Sequence, residues 1–447
     1  MEQDRLYLMK EAPIKTGLLK LGIPSIIGLL MIGFYNFVDS YFVAQLGTHP
    51  MGALSVAFPL MTLMPGIGLL FGNGASALIS ELLGADRTHD AETVLNSTLF
   101  YILLFSLSTL LMYPYLEQIL VKLGASQDVL PFAMDYTKIL IFSFVFHIPS
   151  VALTNLVRAE GATTLSAVSQ IIGSLINIIL DPILMFRFNM GIAGAAIATA
   201  IAQFVSFMIL ITYYFSGKSL LKLDIKKVKF YRWIIMPILH VGLPLFAINF
   251  FQSLSMTITN VLAAQYGDHV LASIGIVNRI VTMVILGITG FSRGYQTFAS
   301  YNYGAKQFDR LEASTKLAYQ WTISASIIIG LLIIGIRGPI LQAFSNDPEV
   351  VRIAKISLTA NALSFFLYGY QAIAIVYLLV VKKNTAGFIF SIARQGIVFI
   401  PLIYFLNYLF NLNSIIYIQP AADILSAILL IGYMFFLKTS KQKGAAS

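Results

Sequence analysis

The amino-acid sequence predicts an all-α integral membrane protein of about twelve transmembrane helices in two six-helix halves, and three observations carry that expectation. First, the chain of 447 residues is 58% hydrophobic and only 11% charged, against roughly 25% charged in soluble proteins. No soluble fold could hide that much apolar surface, so lipid must act as the solvent for most of it. Second, a window of about 19 residues finds roughly twelve apolar stretches. Third, residues 21–85 reappear, loosely but without a gap, 220 positions later.

The repeat is read residue by residue. Leu21-Gly22-Ile23-Pro24 falls on Val241-Gly242-Leu243-Pro244, and Ala44-Gln45-Leu46-Gly47 on Ala264-Gln265-Tyr266-Gly267. His49 falls on His269, Gly74 on Gly294, Ser80 on Ser300, and Gly84-Ala85 on Gly304-Ala305. Duplicated apolar halves joined by a basic linker are the sequence form expected of a two-lobed transporter. The repeat breaks at Asp39, an acid inside an apolar stretch whose counterpart is the uncharged Thr259.

The spans are placed near 17–45, 52–82, 93–114, 130–156, 164–186 and 192–215 in the first half. Those of the second half lie near 235–265, 271–303, 313–336, 350–380, 385–410 and 414–437. The expected organisation is a first lobe over 1–215, a linker over 216–234 and a second lobe over 235–447. Several stretches exceed the ~20 residues a bilayer needs, so tilted or projecting helices are expected.

Lysine and arginine accumulate on one set of connections: Arg5, Lys10, Lys15, Arg87, Arg158, the linker, Lys306, Arg310, Lys382, Lys383, Lys438, Lys441 and Lys443. The opposite connections are nearly bare, including Gly47-Thr48-His49-Pro50 and Ser345-Asn346-Asp347-Pro348, with Lys122 and Arg187 as exceptions. The basic side is the cytoplasm, which puts both termini inside. The formal charge of +9 therefore reads as topology rather than nucleic-acid binding. The linker reads as the interfacial, positive-inside connection, with a lipid-binding regulatory element as the alternative.

Other classes fall away. The polar start Met1-Glu2-Gln3-Asp4-Arg5 and the long first apolar stretch do not look like a cleavable targeting segment. Zero cysteines exclude disulfides, thiolate metal sites and cysteine nucleophiles. No phosphate-loop motif is present, and no clustered Asp-rich or His-containing motif suggests an enzyme. His49, His147, His240 and His269 lack metal-ligand spacing and read as structural.

A carboxylate at the centre of a bilayer helix costs about 2.5–3.5 kcal/mol even on the lenient insertion scale, so such residues persist where they face a cavity, a partner or a proton. With charges near span ends set aside, the acids and arginines inside spans are Asp39, Asp181, Arg279, Arg293, Arg394 and Asp423. Asp181 lies four residues after Asn177, on one helix face, and directly before Pro182. Span six brings small residues, Ala195 and Ala196, and the hydroxyl of Thr199. Asp39 and Asp181 both lie late in outward-running spans, hence at similar depth. Two carboxylates with an amide and a hydroxyl form a reasonable cage for H+ or Na+, and close carboxylates titrate as a coupled pair. The plainer reading of each acid is a hydrogen-bonded packing residue. Arg279 reads as an outer-end residue, Arg394 as one that snorkels or pairs within its own half, and Asp423 as compatible with the surface.

Aromatic and methionine side chains suit a pliable pocket for flat, apolar cations. The candidates are Met31, Tyr35, Phe37 and Met64 in the first half, then Gln252, Met256, Met283 and Tyr370 in the second, with Tyr368 and Gln371 nearby in sequence.

These residues in this order resemble the multidrug and toxic compound extrusion (MATE) family over essentially the whole chain. The carriers are Gly22-Ile23-Pro24, Val38-Asp39 through Gly47, Arg158-Ala159-Glu160-Gly161, Asn177 through Pro182, and Gly191 through Ala196. In the second half they are Gly242-Leu243-Pro244, Asn302-Tyr303-Gly304-Ala305 and Arg394-Gln395 with Ile400-Pro401, which look most like the MepA-like branch, near the DinF-like one. The resemblance implies two six-helix bundles related by a pseudo-two-fold along the membrane normal, working by alternating access. It implies that Asp39, Asn177, Asp181 and Thr199 form the cation site and that Pro24 marks a hinge. It also implies a multi-pass monomer of a bacterial or archaeal cytoplasmic membrane, with membrane lipids around it and no cofactor beyond H+ or Na+. The expected activity is export of amphipathic, mostly cationic drugs by antiport; a lipid-linked saccharide flippase is the alternative. Flippases of that kind line their cavity with several arginines, and no arginine lies deep in the first-half spans. One departure stands out: where another branch has a glutamate in span seven, this chain has Gln252.

Overall fold

The computed structural model describes residues 7–123, 125, 127–344 and 347–444. Arg5 and Ser345-Asn346 lie outside the described residues. Among the described residues all regular structure is helical, as a chain in lipid requires, because a helix satisfies its own backbone donors and acceptors. In chain order the helices of the first half are α1 (Ile14–Gln45), α2 (Thr48–Gly84), α3 (Thr88–Ser108), α4 (Leu116–Lys122), α5 (Leu130–Ala159), α6 (Thr163–Pro182) and α7 (Gly191–Phe215). Those of the second half are α8 (Arg232–Ala264), α9 (Asp268–Gly304), α10 (Phe308–Phe344), α11 (Pro348–Val380), α12 (Asn384–Ile392), α13 (Phe399–Phe410) and α14 (Leu412–Gly444).

Twelve segments among the described residues are long and apolar enough to cross a membrane. The third span joins α3 to α4 through a 3-10 stretch at Thr109–Tyr115, and the eleventh joins α12 to α13 through a π turn at Ala393–Ile397. The shortest spans hold 25 residues and the longest 37. Even 25 residues give about 38 Å at 1.5 Å per residue, more than the ~30 Å hydrocarbon layer, so these helices project beyond the lipid or tilt.

The chain divides into two compact units. One comprises Met1–Phe246 with Arg293–Leu311, and the other Ala247–Ser292 with Glu312–Ser447. The N-terminal part of α8 and the C-terminal part of α9 thus belong to the first unit. There the repeated glycines acquire a physical reason. A Cβ on Gly84 would stand 2.0 Å from the Tyr301 carbonyl oxygen, and one on Gly304 would stand 1.9 Å from that of Glu81. Residues 84 and 304, like 81 and 301, are mates in the repeat, so the contact between α2 and α9 is itself two-fold symmetric. Only glycine lets the two backbones touch there.

The turns at both ends of α2 and α9 carry the same signature. Gly47 and Gly267 begin the second helix of each half with φ of +113° and +103°, a conformation that side chains resist. Asp86 and Lys306, also repeat mates, both sit at φ +57° in the left-handed turn that ends those helices.

The connections that lead into α2 and α9 are tied down differently. The His49 ring stacks on Phe132 at 6.2 Å. His269 Nδ1 pairs with Asp347 Oδ2 at 3.0 Å, while Asp347 Oδ1 caps α11 by accepting from the Glu349 N–H at 2.9 Å.

Candidate functional site

The site is assembled by the packing of α1 on α6. The two helices pair at a nearly constant offset. Thr163 Oγ1 donates to the Lys20 carbonyl at 3.1 Å, 143 residues apart. Gly28 then faces Gln170, where a Cβ on Gly28 would stand 2.8 Å from Gln170 Nε2 and 3.4 Å from Ala167 Cα. Eleven residues beyond both Gly28 and Gln170, about three turns or 16 Å, come Asp39 and Asp181. The carboxyl groups of Asp39 and Asp181 lie within hydrogen-bonding reach of each other.

The cage closes through α7. Asn177 Nδ2 donates to Asp181 Oδ1 at 3.2 Å and to Thr199 Oγ1 at 3.3 Å. All four residues are buried: Asp39 6% exposed, Asn177 1%, Asp181 0% and Thr199 7%. Small residues let α7 come this close. A Cβ on Gly173 would stand 2.2 Å from Ser206 Oγ, and Ser206 in turn donates to the Ser169 carbonyl at 3.1 Å. Beyond Asp181 the helix passes at Pro182 into a π turn, Ile183–Arg187. A π turn commonly marks a place where helix regularity is traded for the aim of a side chain.

Three buried oxygens of the cage, Asp39 Oδ1, Asp181 Oδ2 and Asn177 Oδ1, have no hydrogen-bond donor among the described residues. Oxygens of two carboxyls, an amide and a hydroxyl suit a hard cation, and two facing carboxyls suit a shared proton. Tyr35, one turn before Asp39, and Tyr136 on α5 both feel the two carboxylates electrostatically. Tyr136 is fully buried, with its hydroxyl 3.5 Å from Met61 Sδ. It escaped the sequence reading because nothing local in span four ties a tyrosine to carboxylates on α1 and α6; the available signal was a tyrosine in an apolar helix, whose hydroxyl needs a partner.

The second half has no such cage among the described residues. Thr259, the mate of Asp39, donates its hydroxyl to the Ser255 carbonyl of its own helix at 2.8 Å. With α6 and α12 starting at Thr163 and Asn384, the counterparts of Asn177 and Asp181 fall within Val398–Ile403, a stretch with no polar side chain. A different polar centre occupies this unit. Arg394, on the π turn, donates from Nε to Asp423 Oδ1 at 2.6 Å and lies 4.5 Å from the centroid of the Tyr368 ring. Asp423 also accepts from Ser364 Oγ at 2.9 Å and from Gln419 Nε2 at 2.9 Å, and its carbonyl accepts from Gln371 Nε2 at 3.1 Å.

This corrects the surface reading of Asp423, which is 1% exposed: beside Gln419, four residues earlier on α14, its partners lie on α11 and the π turn, which no local sequence pattern reaches. Gln371, 2% exposed, is held by the same centre, and Tyr368 stands half-buried beside it. Arg158 needs a correction as well. It is not a loop charge but a 2% exposed side chain in the last turn of α5, donating to Asn155 Oδ1 at 2.8 Å and Ser166 Oγ at 3.1 Å.

The pocket candidates are distributed between the units. In the first, Met31 and Tyr35 are half-buried, Phe37 is exposed, and Met64 packs on the bundle core around Tyr136 and Phe144. In the second, Gln252 and Met283 are half-buried, Met256 is exposed, and Tyr370 stacks on Tyr319 at 5.1 Å. Pro24 sits inside α1, which continues through it as helix.

Twelve spans in two repeated sets among the described residues, with a buried two-carboxylate cage in the first, define a duplicated polytopic membrane transporter. The MatE family model matches residues 24–183 and 244–405, one match in each half, and the chain belongs to that family. It is similar to the multidrug export protein MepA of Staphylococcus aureus (strain MSSA476), at 27% identity over 98% of this chain and 97% of the relative. MepA of Staphylococcus haemolyticus (strain JCSC1435) is 29% identical over the same shares. The fold matches a solved outward-facing conformation of a multidrug resistance MATE family transporter of the MOP superfamily, with a TM-score of 0.92 at 20% identity over 98% of each chain.

Proposed function

We propose that this protein is a secondary antiporter that exports amphipathic, mostly cationic organic compounds in exchange for inward-moving H+ or Na+. The observation that carries the proposal is the facing of Asp39 and Asp181 in a buried cage whose remaining oxygens lack donors. Two like charges at that spacing repel, and an arriving proton or sodium ion removes the repulsion and lets α1 and α6 draw together. Drug and cation then compete through the conformation of α1 rather than at one shared atom. Exchange follows if the two ligands prefer different states, and a tenfold difference in affinity needs about 1.4 kcal/mol of coupling. The export of drugs by similar proteins named MepA supports the substrate class. The test is drug efflux from proteoliposomes with a pH gradient or a Na+ gradient imposed separately. Efflux driven by one of them supports the proposal; efflux that follows neither gradient overturns it.

A further inference from the structure

The segment between the two halves is held to the first unit by its main chain. Four side chains along α3 contact it at successive turns. Glu92 Oε1 accepts from the Lys222 N–H at 3.1 Å. Asn96 donates to the Lys222 carbonyl at 3.0 Å and accepts from the Asp224 N–H at 2.8 Å. Ser97 Oγ accepts from the Lys229 N–H at 2.9 Å, and the Tyr101 hydroxyl donates to the Lys229 carbonyl at 2.5 Å. From the α5–α6 turn, Glu160 Oε2 accepts from the Ser219 hydroxyl and the Leu220 N–H, both at 2.7 Å, and from the Tyr213 hydroxyl at 3.0 Å. Leu221, 1% exposed, is the apolar anchor beneath.

A main chain bonded inward turns its remaining side chains outward. Lys222, Lys226, Lys229 and Arg232 are exposed, and no carboxylate among the described residues pairs with them. The one acid of the segment, Asp224, uses its carboxylate on the Lys226 N–H, and Glu92 neutralises Lys227. Beside these cations stand Ile225, 81% exposed, Phe230, 66%, and Trp233, 40%. Phe230 is set in place by Tyr101 and Phe100, at 5.1 and 5.8 Å between ring centroids. The segment joins the ends of two spans, so it lies where the chain leaves the lipid. Exposed cations interleaved with exposed aromatic and aliphatic side chains at that level match the headgroup layer, where charge meets anionic phosphate and rings enter the interface.

We propose that residues 216–233 form a prebuilt docking platform for anionic phospholipid headgroups of the cytoplasmic leaflet, held by α3 and Glu160. The platform makes the first unit responsive to the lipid beneath it. The chain has no cysteine, so the test uses the full-length protein carrying Ile225→Cys with an environment-sensitive fluorophore. The protein is reconstituted in phosphatidylcholine vesicles or in vesicles with added phosphatidylglycerol. Emission should shift to the blue with phosphatidylglycerol and return on the order of 1 M salt, where the Debye length is about 3 Å. The same shift should vanish when Lys222, Lys226, Lys229 and Arg232 are all replaced by Gln, with thermal stability unchanged because these side chains are exposed. Identical emission in the two lipid compositions overturns the proposal. So does a shift that survives the four substitutions, or one that soluble polyphosphate produces equally in phosphatidylcholine.

Discussion

Pro24 has no N–H, so the Lys20 carbonyl one turn earlier loses its helical donor. In this structure the Thr163 hydroxyl supplies one from α6, at 3.1 Å. Replacing Pro24 by alanine restores the helix's own donor and should make Thr163 redundant. Proline inside a helix is about 3 kcal/mol less favourable than alanine. One hydroxyl-to-carbonyl bond returns about 1 kcal/mol. The difference, about 2 kcal/mol, is the net cost that Pro24 leaves in the α1 helix and that alanine should relieve. The assay is a double-mutant cycle on the purified protein, Pro24→Ala with Thr163→Val, followed by thermal stability and by drug affinity across pH and Na+ concentration. Thr163→Val should cost about 1 kcal/mol when Pro24 is present and close to nothing in the Pro24→Ala background. Pro24→Ala should also weaken the dependence of drug affinity on the cation. If the two stability changes add within about 0.5 kcal/mol, Thr163 does not serve that carbonyl and the reasoning fails.

Asp423→Asn should lower stability by about 3–5 kcal/mol, because it leaves Arg394 buried without its counter-charge; a melting temperature like that of the wild type would mean the pair is not a structural tie. Ion-driven transport should persist in the protein that still folds. Burial raises the Glu160 carboxyl above the ordinary carboxylate value of 4.5, against the opposing pull of its bonds from Ser219, Leu220 and Tyr213. Its contribution to stability is therefore fully present below 4.5 and is lost as pH rises through the folded-state value. Melting curves should show Glu160→Gln gaining on the wild type as pH rises above 4.5, and parallel pH profiles would sink the argument. Gln252→Ala should alter substrate preference more than ion dependence, since a neutral amide carries no exchanged charge; lost ion dependence with unchanged drug binding would reverse that assignment.

The helical class and the twelve spans were legible because lipid leaves a chain few options, and apolar length is written locally. The cage was legible for a related reason: Asn177 and Asp181 share a helix face, and an acid in an apolar span is conspicuous. What stayed hidden depends on pairing between distant elements. Asp423 looks like a surface acid until α11 and the π turn at Arg394 supply its partners. The linker's basic residues speak of topology, but its attachment runs through main-chain atoms to Glu92, Asn96 and Tyr101, and main-chain bonding leaves no mark in composition. Thr163 was invisible as the partner of the Pro24 turn until the register of α1 on α6 placed it there.

The central claim is that the Asp39–Asp181 pair takes up the cation that drives export. The direct measurement is drug transport into or out of proteoliposomes bearing Asp39→Asn or Asp181→Asn, under the gradient that drives the wild type, with drug binding measured on the same preparations. Each variant should insert, fold and bind drug while gradient-driven transport falls to background. Transport at the wild-type level in either variant would assign that carboxylate to packing and contradict the account.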